Sequence, residues 1–285
     1  MSHGRSVLAV PGSSQRFLVK AATSAADVIM IDWEDGVSGA DKPTSRELTL
    51  AFLNARSLAE VTGARNGPHA WLRVNSPETE DFALDAAALD QWATTDYQIP
   101  VIIPMAATET VNTAADRLPH RPLIAMIETA KSLEQARELA ANPRVIGLMF
   151  GEYDYLATMA NSGSLRMTDT TWAQARLVNA AAASGKWAIA GPNADFSDND
   201  GLRHQASREA ELGFAGKLCI HPSQIAMVNK AFAPAPAFVR WAEELLAELG
   251  NNQTLDGAFN FRGQMVDPPV IDRARTAVRM AGGAR

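Results

Sequence analysis

The sequence predicts a (β/α)8 barrel with a C-terminal helical extension, and three observations carry that reading. Eight short apolar runs recur, at 6–10, 27–32, 70–75, 101–104, 123–128, 145–150, 187–190 and 217–221. Between them lie amphipathic stretches of helical length, such as 44–62, 132–141 and 171–184. The open doubly wound sheet is the runner-up, but its phosphate fingerprint should follow the first run, and Pro11-Gly-Ser-Ser14 is no GxGxxG. Strict β–α alternation implies a parallel sheet with right-handed crossovers, and eight such units close into a barrel.

Taken in order, most runs end in polar or special residues. The second ends in Asp32-Trp-Glu-Asp-Gly36, where alternation puts Asp32 and Glu34 on one side and Asp35 on the other until the strand bends. The third ends in Arg73-Val-Asn75, both polar groups on one side, and the fourth in Pro104-Met105. The fifth stops at Glu128, and the sixth runs into Glu152 and Asp154. Gly191-Pro-Asn193 is a turn after the seventh. The eighth ends in His221-Pro222. Residues 1–235 form the expected barrel and 236–285 the extension. The extension holds a helix over 237–249 ended by Gly250 and Asn251, a Gly- and Asn-containing stretch to Phe261, and a last helix over 270–280. It can cap the barrel, pack on a neighbouring subunit or reach into a site.

Composition bounds the function. The chain has 285 residues, 47% hydrophobic and 20% charged, ordinary for a globular protein with a sizeable core. Net charge is −6 with no long basic run, which disfavours nucleic acid. The single cysteine, Cys219, excludes a disulfide framework, and its apolar run makes it core rather than nucleophile. No secretory segment and no run of about 20 apolar residues is found, so a cytoplasmic protein without a membrane span is expected.

The chemistry sits in the acids. A carboxylate at the tail of a buried strand is costly unless it meets a cation or opens into a cleft. Carboxylates on adjacent strand ends, as at Glu128 and then Glu152 and Asp154, suit a hard divalent ion such as Mg2+. Arg73 is the candidate anion or oxyanion ligand, against a structural ion pair with Glu34 or Asp35. Arg5 reads as structural. His221 reads as a positioned turn residue near a cap at Ser223 rather than a general base. Each residue alone favours a structural role; jointly they favour a site, because barrel enzymes assemble sites from several strand ends.

The ordered motifs resemble the citrate lyase β-subunit-like group of the HpcH/HpaI aldolase superfamily, which includes malyl-CoA and citramalyl-CoA lyases. The matching pieces are Arg5-Ser-Val-Leu-Ala-Val-Pro-Gly12, Ile31-Asp-Trp-Glu-Asp-Gly-Val37 with Asp41-Lys42, and Arg73-Val-Asn75. Ile127-Glu-Thr129, Phe150-Gly-Glu-Tyr-Asp154, Gly213-Phe-Ala-Gly-Lys-Leu-Cys-Ile-His-Pro-Ser-Gln224 and Gly263-Gln-Met-Val-Asp267 follow. The resemblance implies a barrel assembled as homotrimers or hexamers. It implies Mg2+ held at Glu128 and Asp154, and Arg73 on the carbonyl oxygen of a 2-keto acid. The backbone of Gly151 and Glu152 would hold the keto-acid carboxylate, and Glu34 and Asp35 would organise the metal's waters. Asp267, from a neighbouring subunit, would act in proton transfer. Two positions depart from the group: Met105 where many relatives have Lys, and Trp33 where Leu is usual. Both are expected near the rim, where they would affect acyl-group choice.

The implied activity is Mg2+-dependent cleavage or formation of a 3-hydroxyacyl-CoA, such as citramalyl-CoA or malyl-CoA, with acetyl-CoA and a 2-keto acid as partners. A citryl-CoA lyase β subunit, a malyl-CoA thioesterase, a CoA-independent 2-keto acid aldolase and a non-catalytic keto-acid binder remain open alternatives.

Overall fold

The computed structural model of the chain describes residues 4–61, 67–92, 98–250 and 257–282. The expected helix ends at Thr62 and Asn251 lie outside the described residues. Contacts divide the chain into two compact units, Met1–Ala231 and Phe232–Arg285.

In the first unit the strands are β1 (Ser6–Pro11), β2 (Val28–Asp32), β3 (His69–Arg73), β4 (Val101–Ile103), β5 (Leu123–Ile127), β6 (Val145–Phe150), β7 (Trp187–Ala190) and β8 (Gly216–Cys219). They pair in parallel in sequence order, and β8 closes on β1. All eight runs are therefore strands of one closed barrel. The helices are α1 (Gln15–Ala22), α2 (Lys42–Val61), α3 (Glu80–Gln91), α4 (Thr108–Arg117), α5 (Ala130–Glu134), α6 (Ala136–Ala141), α7 (Glu152–Asn161), α8 (Thr171–Ala183), α9 (Asn199–Leu212) and α10 (Ile225–Ala231). The stretch expected as one helix over 132–141 is two, interrupted at Gln135, and begins at the cap Thr129, whose hydroxyl accepts from the Ser132 amide. The expected β6–α8 connection also holds α7, which the sequence reading did not assign.

Alternation sorts each strand. Val28 and Met30, Trp71, Ile102, Ile124 and Met126, Met149, Ile189, Val7 and Leu218 join one buried cluster, the barrel interior. The intervening residues, such as Ile29, Ile31 and Leu72, are buried too, so strands with two covered faces read as continuous apolar runs. The indoles of Trp71 and Trp187 stack at 5.2 Å and 11°. Gly147 makes room for this stack: a Cβ there would lie 2.3 Å from the Trp187 ring. An irregularity at Leu123/Ile124 sets the β5–β6 register so that Ile127 pairs with Phe150. The next residues, Glu128 and Gly151, are consequently neighbours.

The second unit holds α11 (Pro236–Leu249), the antiparallel pair β9 (Phe259–Phe261) and β10 (Gln264–Val266), and α12 (Pro268–Gly282). Ala242, Leu245, Phe261, Val266, Ile271 and Ala274 form its own core. The hairpin was not anticipated. Its two-residue turn is Arg262-Gly263, both at positive φ (50° and 82°), the geometry of tight hairpins, but Arg lacks the usual Asn or Asp signal. No described helix is long and apolar enough to cross a membrane.

Candidate active site

The same alternation that fills the barrel sets the chemistry at its mouth. One pleat beyond Met30 lies Asp32, beyond Trp71 lies Arg73, and beyond Met126 lies Glu128. Beyond Met149 and Ile189 lie Gly151 and Gly191, which leave space. An ionic layer thus caps the apolar interior at the C-terminal ends of the strands, where barrel enzymes place their sites.

Asp32, 4% exposed, grips Arg73 with both oxygens: Nε reaches Oδ1 at 2.8 Å and Nη2 reaches Oδ2 at 2.7 Å. The same oxygens accept from the Glu34 amide (3.0 Å) and the Gly36 amide (2.8 Å), curling the loop over the pair. Gly36 permits this, since a Cβ there would sit 2.5 Å from Asp32 Oδ2. The remaining Arg73 nitrogen, Nη1, lies 2.8 Å from Glu34 Oε2 and 3.7 Å from Asp35 Oδ2. The ion pair weighed for Arg73 therefore exists, but its main partner is Asp32, which the sequence reading had not selected. The Glu34 contact is ionic only: the buried Oε2 accepts no hydrogen bond.

Glu128 is 3% exposed. The Met105 amide donates to its Oε2 at 2.6 Å. On the other flank Gly151 lies so close that a Cβ would meet Glu128 Cγ at 2.3 Å and Oε1 at 2.6 Å. Asp154 stands in the first turn of α7. Burial pushes Glu128 up to about 7; the Met105 amide and Arg73 oppose this, and Asp154 and Asp35 add to it. Burial likewise pushes Glu34 up to about 8, opposed by Arg73 and reinforced by Glu128, Asp35 and Asp32. Four carboxylates thus share one guanidinium, and Asp154 adds a fifth negative charge beside Glu128.

Such a mouth favours a cation. No three His, Cys, Asp or Glu side chains are gathered for a metal among the described residues. Mg2+ does not need three, since it keeps several waters and takes one or two carboxylates. Glu128 Oε1 and the Asp154 carboxylate accept no hydrogen bond from the described residues, and their hard oxygens suit that ion.

Other expected residues fall elsewhere. The Gly151 amide donates to Ile127 O at 2.9 Å, so Gly151 contributes space and not a free donor. Glu152 opens α7 with its amide, while its carboxylate turns away and accepts from Thr170 Oγ1 at 2.5 Å. Trp33 is fully buried and donates from Nε1 to Thr49 Oγ1 of α2 at 2.9 Å, so it packs behind the barrel wall and does not line the rim as expected. Met105 is at the rim, 40% exposed. Asn75 joins Lys42, Arg46, Asp81 and Asp85 in a network between α2 and α3. His221 caps its own turn: Nδ1 accepts from the Ser223 amide at 3.2 Å. Arg5 is paired with Asp27. Cys219 is buried and its thiol pushed up to about 12 by that burial, unsuited to a nucleophile. In the second unit, Asp267 Oδ1 accepts from the Val270 amide at 3.2 Å and so caps α12.

Known proteins resemble this chain along most of its length. The family model described as HpcH/HpaI aldolase/citrate lyase matches residues 5–222. A citrate lyase subunit beta-like protein of Mycobacterium tuberculosis is 36% identical over 268 residues, covering 92% of this chain and 90% of that protein. An L-malyl-CoA/beta-methylmalyl-CoA lyase of Cereibacter sphaeroides is 32% identical over 301 residues, covering 95% and 92%. Among solved structures, Mycobacterium tuberculosis CitE in complex with magnesium, acetoacetate and coenzyme A superposes with a TM-score of 0.76 at 33% identity, covering 99% of both chains. The citrate lyase beta subunit of the same organism, complexed with oxaloacetate and magnesium, gives 0.67 at 32% identity, covering 82% of this chain and 98% of that one.

Proposed function

The chain belongs to the HpcH/HpaI aldolase/citrate lyase family, and from that premise we propose that it cleaves, or forms, a 3-hydroxyacyl-CoA such as citramalyl-CoA or malyl-CoA. It is a carbon–carbon lyase with Mg2+ as cofactor. The observation that carries the reading is the mouth itself, four carboxylates around one guanidinium with Asp154 beside Glu128.

Glu128 and Asp154 would hold the ion. When bound, Mg2+ supplies Lewis-acid stabilisation of oxygen charge on the keto-acid side. Arg73, fixed by Asp32, turns its Nη1 edge toward the mouth and donates to the oxygen that is an alkoxide before cleavage and a ketone after it. Glu34 and Asp35 accept hydrogen bonds from waters there. The amide of Glu152, at the N-terminus of α7, binds the keto-acid carboxylate with the helix dipole behind it. The substrate hydroxyl gives its proton to a water held by Glu34 and Asp35, and the bond that then breaks joins the alkoxide carbon to the thioester α-carbon, whose electron pair becomes the enolate. Asp267 of a neighbouring subunit delivers the proton that turns that enolate into acetyl-CoA, and removes it in the reverse direction.

A cavity of about 580 Å3 opens where the end of β1, α1 and the end of β8 meet. Phe17 and His221 give it flat walls and Lys20 a cation, a combination suited to the nucleotide end of a CoA thioester.

A turnover screen of CoA thioesters, with Mg2+ and with EDTA, tests the reading. Acetyl-CoA and a 2-keto acid should appear only with metal. Free malate from malyl-CoA without glyoxylate would make the protein a thioesterase, and CoA-independent cleavage would make it an aldolase. The shared site is tested by mixing Asp267→Asn with Glu128→Gln protomers after dissociation. Reassembled oligomers should regain partial activity; no recovery in verified mixed oligomers would remove Asp267 from a neighbour's site.

A further inference from the structure

The turn after β4 bears on how Glu128 binds its ion. Pro104 is followed by Met105 at φ +46°, a left-handed conformation uncommon for a residue other than glycine, asparagine or aspartate. The cost of such a conformation is kept where surrounding structure enforces it, and such residues cluster at functional sites. Here the enforcement is visible. The Ala106 amide donates to Met126 O at 3.1 Å, tying the turn to β5 two residues before Glu128. The left-handed turn then aims the Met105 amide at Glu128 Oε2, 2.6 Å away. Gly151 closes the opposite side, close enough to Glu128 Oε1 that no Cβ would fit. The carboxylate is thus clamped between the β4 and β6 ends, with one oxygen taken by an amide and the other left.

We propose that the Met105 backbone amide is a positioning donor that makes Glu128 a one-oxygen ligand, presenting Oε1 to the divalent ion and withholding Oε2. Mg2+ demands near-ideal octahedral geometry, so a carboxylate fixed to donate one oxygen suits it, and a freely rotating one that offers both suits a larger ion better. Hydrogen bonds from outer groups to a ligand fix its orientation, and their loss costs about 10–100-fold in metal affinity. Met105 acts through its N–H and its backbone conformation, so the side chain is free to differ from that of relatives.

This inference rests on Glu128 being a metal ligand. Failure of that premise would appear as no Mg2+ binding by the unaltered protein, or undiminished binding by Glu128→Gln. Failure of the present inference leaves both of those results intact.

The test replaces the amide preceding residue 105 by an ester, through incorporation of the α-hydroxy analogue of methionine into the full chain. Mg2+ affinity is then read by calorimetry on EDTA-stripped protein. The ester should weaken Mg2+ binding at least about tenfold. Met105→Gly keeps the N–H and adopts positive φ without strain, so its affinity should stay within about threefold of the unaltered protein. An ester protein that binds Mg2+ within threefold of the amide, or a glycine variant that loses as much as the ester, would overturn the proposal. Should the ester protein fail to fold, a crystal structure of the unaltered protein with Mg2+ decides. Glu128 coordinating through Oε1 alone, with Oε2 still on the Met105 amide, supports the proposal; two-oxygen coordination, or coordination through Oε2, refutes it.

Discussion

The mouth of the barrel and the layer behind β8 both bury charge, yet they do so on opposite terms. Behind β8, Lys217 is wholly buried and its Nζ meets Glu209 Oε1 at 2.8 Å, Oε2 at 2.9 Å and Gly191 O at 2.6 Å. One cation faces one anion, and each donor finds an acceptor. The network of α2 and α3 is balanced in the same way, with Lys42 and Arg46 against Asp81 and Asp85. At the mouth, four carboxylates share Arg73 with Asp154 beside Glu128, and two of them are pushed up to about 7 and about 8. Burial alone does not separate the two regions. Charge balance does: the balanced pairs hold α9 to β8 and α2 to α3, and the unbalanced cluster is built for a cation.

The largest expected effect breaks the mouth. Glu128→Gln or Asp154→Asn removes an anionic ligand for a hard ion, so turnover should fall to background while thermal unfolding stays cooperative. Near-normal activity of either variant on a purified substrate would mean that the ion is held elsewhere.

The balanced pair should respond in stability instead. Lys217→Ala strands the Glu209 carboxylate among apolar atoms, which costs about 3–5 kcal/mol by denaturant unfolding. Lys217→Met with Glu209→Leu removes both charges and should recover most of that loss, with turnover per folded molecule preserved. A double variant as unstable as the single one would show that the pair is worth more than its charge balance.

Arg73→Lys comes next. It keeps the charge but not the planar fork that grips Asp32 and presents Nη1, so kcat should drop on the order of 10²–10³-fold with KM changed less. A raised KM with unchanged kcat would place Arg73 in ground-state binding only.

The smallest effect is on pH dependence. Glu34 and Glu128 in the metal-free fold titrate above the ordinary 4.5 of an unfolded chain. Between about pH 5 and 8 the native state therefore holds protons that the unfolded chain has released, and stability falls as pH rises through that window. Saturating Mg2+, which binds the deprotonated carboxylates, should flatten the slope. Melting temperatures of EDTA-treated protein that climb from pH 5 to 8 would contradict this.

Much of the frame was legible in the chain because buried parallel strands write themselves as apolar runs, and their ends write themselves as Asp32, Arg73 and Glu128. What the sequence hid has physical causes. Asp32 was overlooked as the partner of Arg73 because a loop of three acids offers three candidates, and only the pleat, counted from Met30, picks the inward one. Trp33 looked like a rim residue, yet it occupies the other phase of that pleat and packs on Thr49. The Met105 amide carries no residue-type signal, since a backbone donor at positive φ is visible only in three dimensions. The split at Gln135 is likewise invisible to periodicity, as both halves keep helical spacing. Gly151 was read as a donor in a turn, whereas the ladder to Ile127 consumes its N–H.

Calorimetric titration with Mg2+ of the unaltered protein, Glu128→Gln and the Lys217→Met/Glu209→Leu double variant tests the contrast most directly. The account predicts one ion per chain in the unaltered protein and in the double variant, and none in Glu128→Gln. Undiminished binding in Glu128→Gln, or binding lost with the Lys217–Glu209 pair, would contradict it.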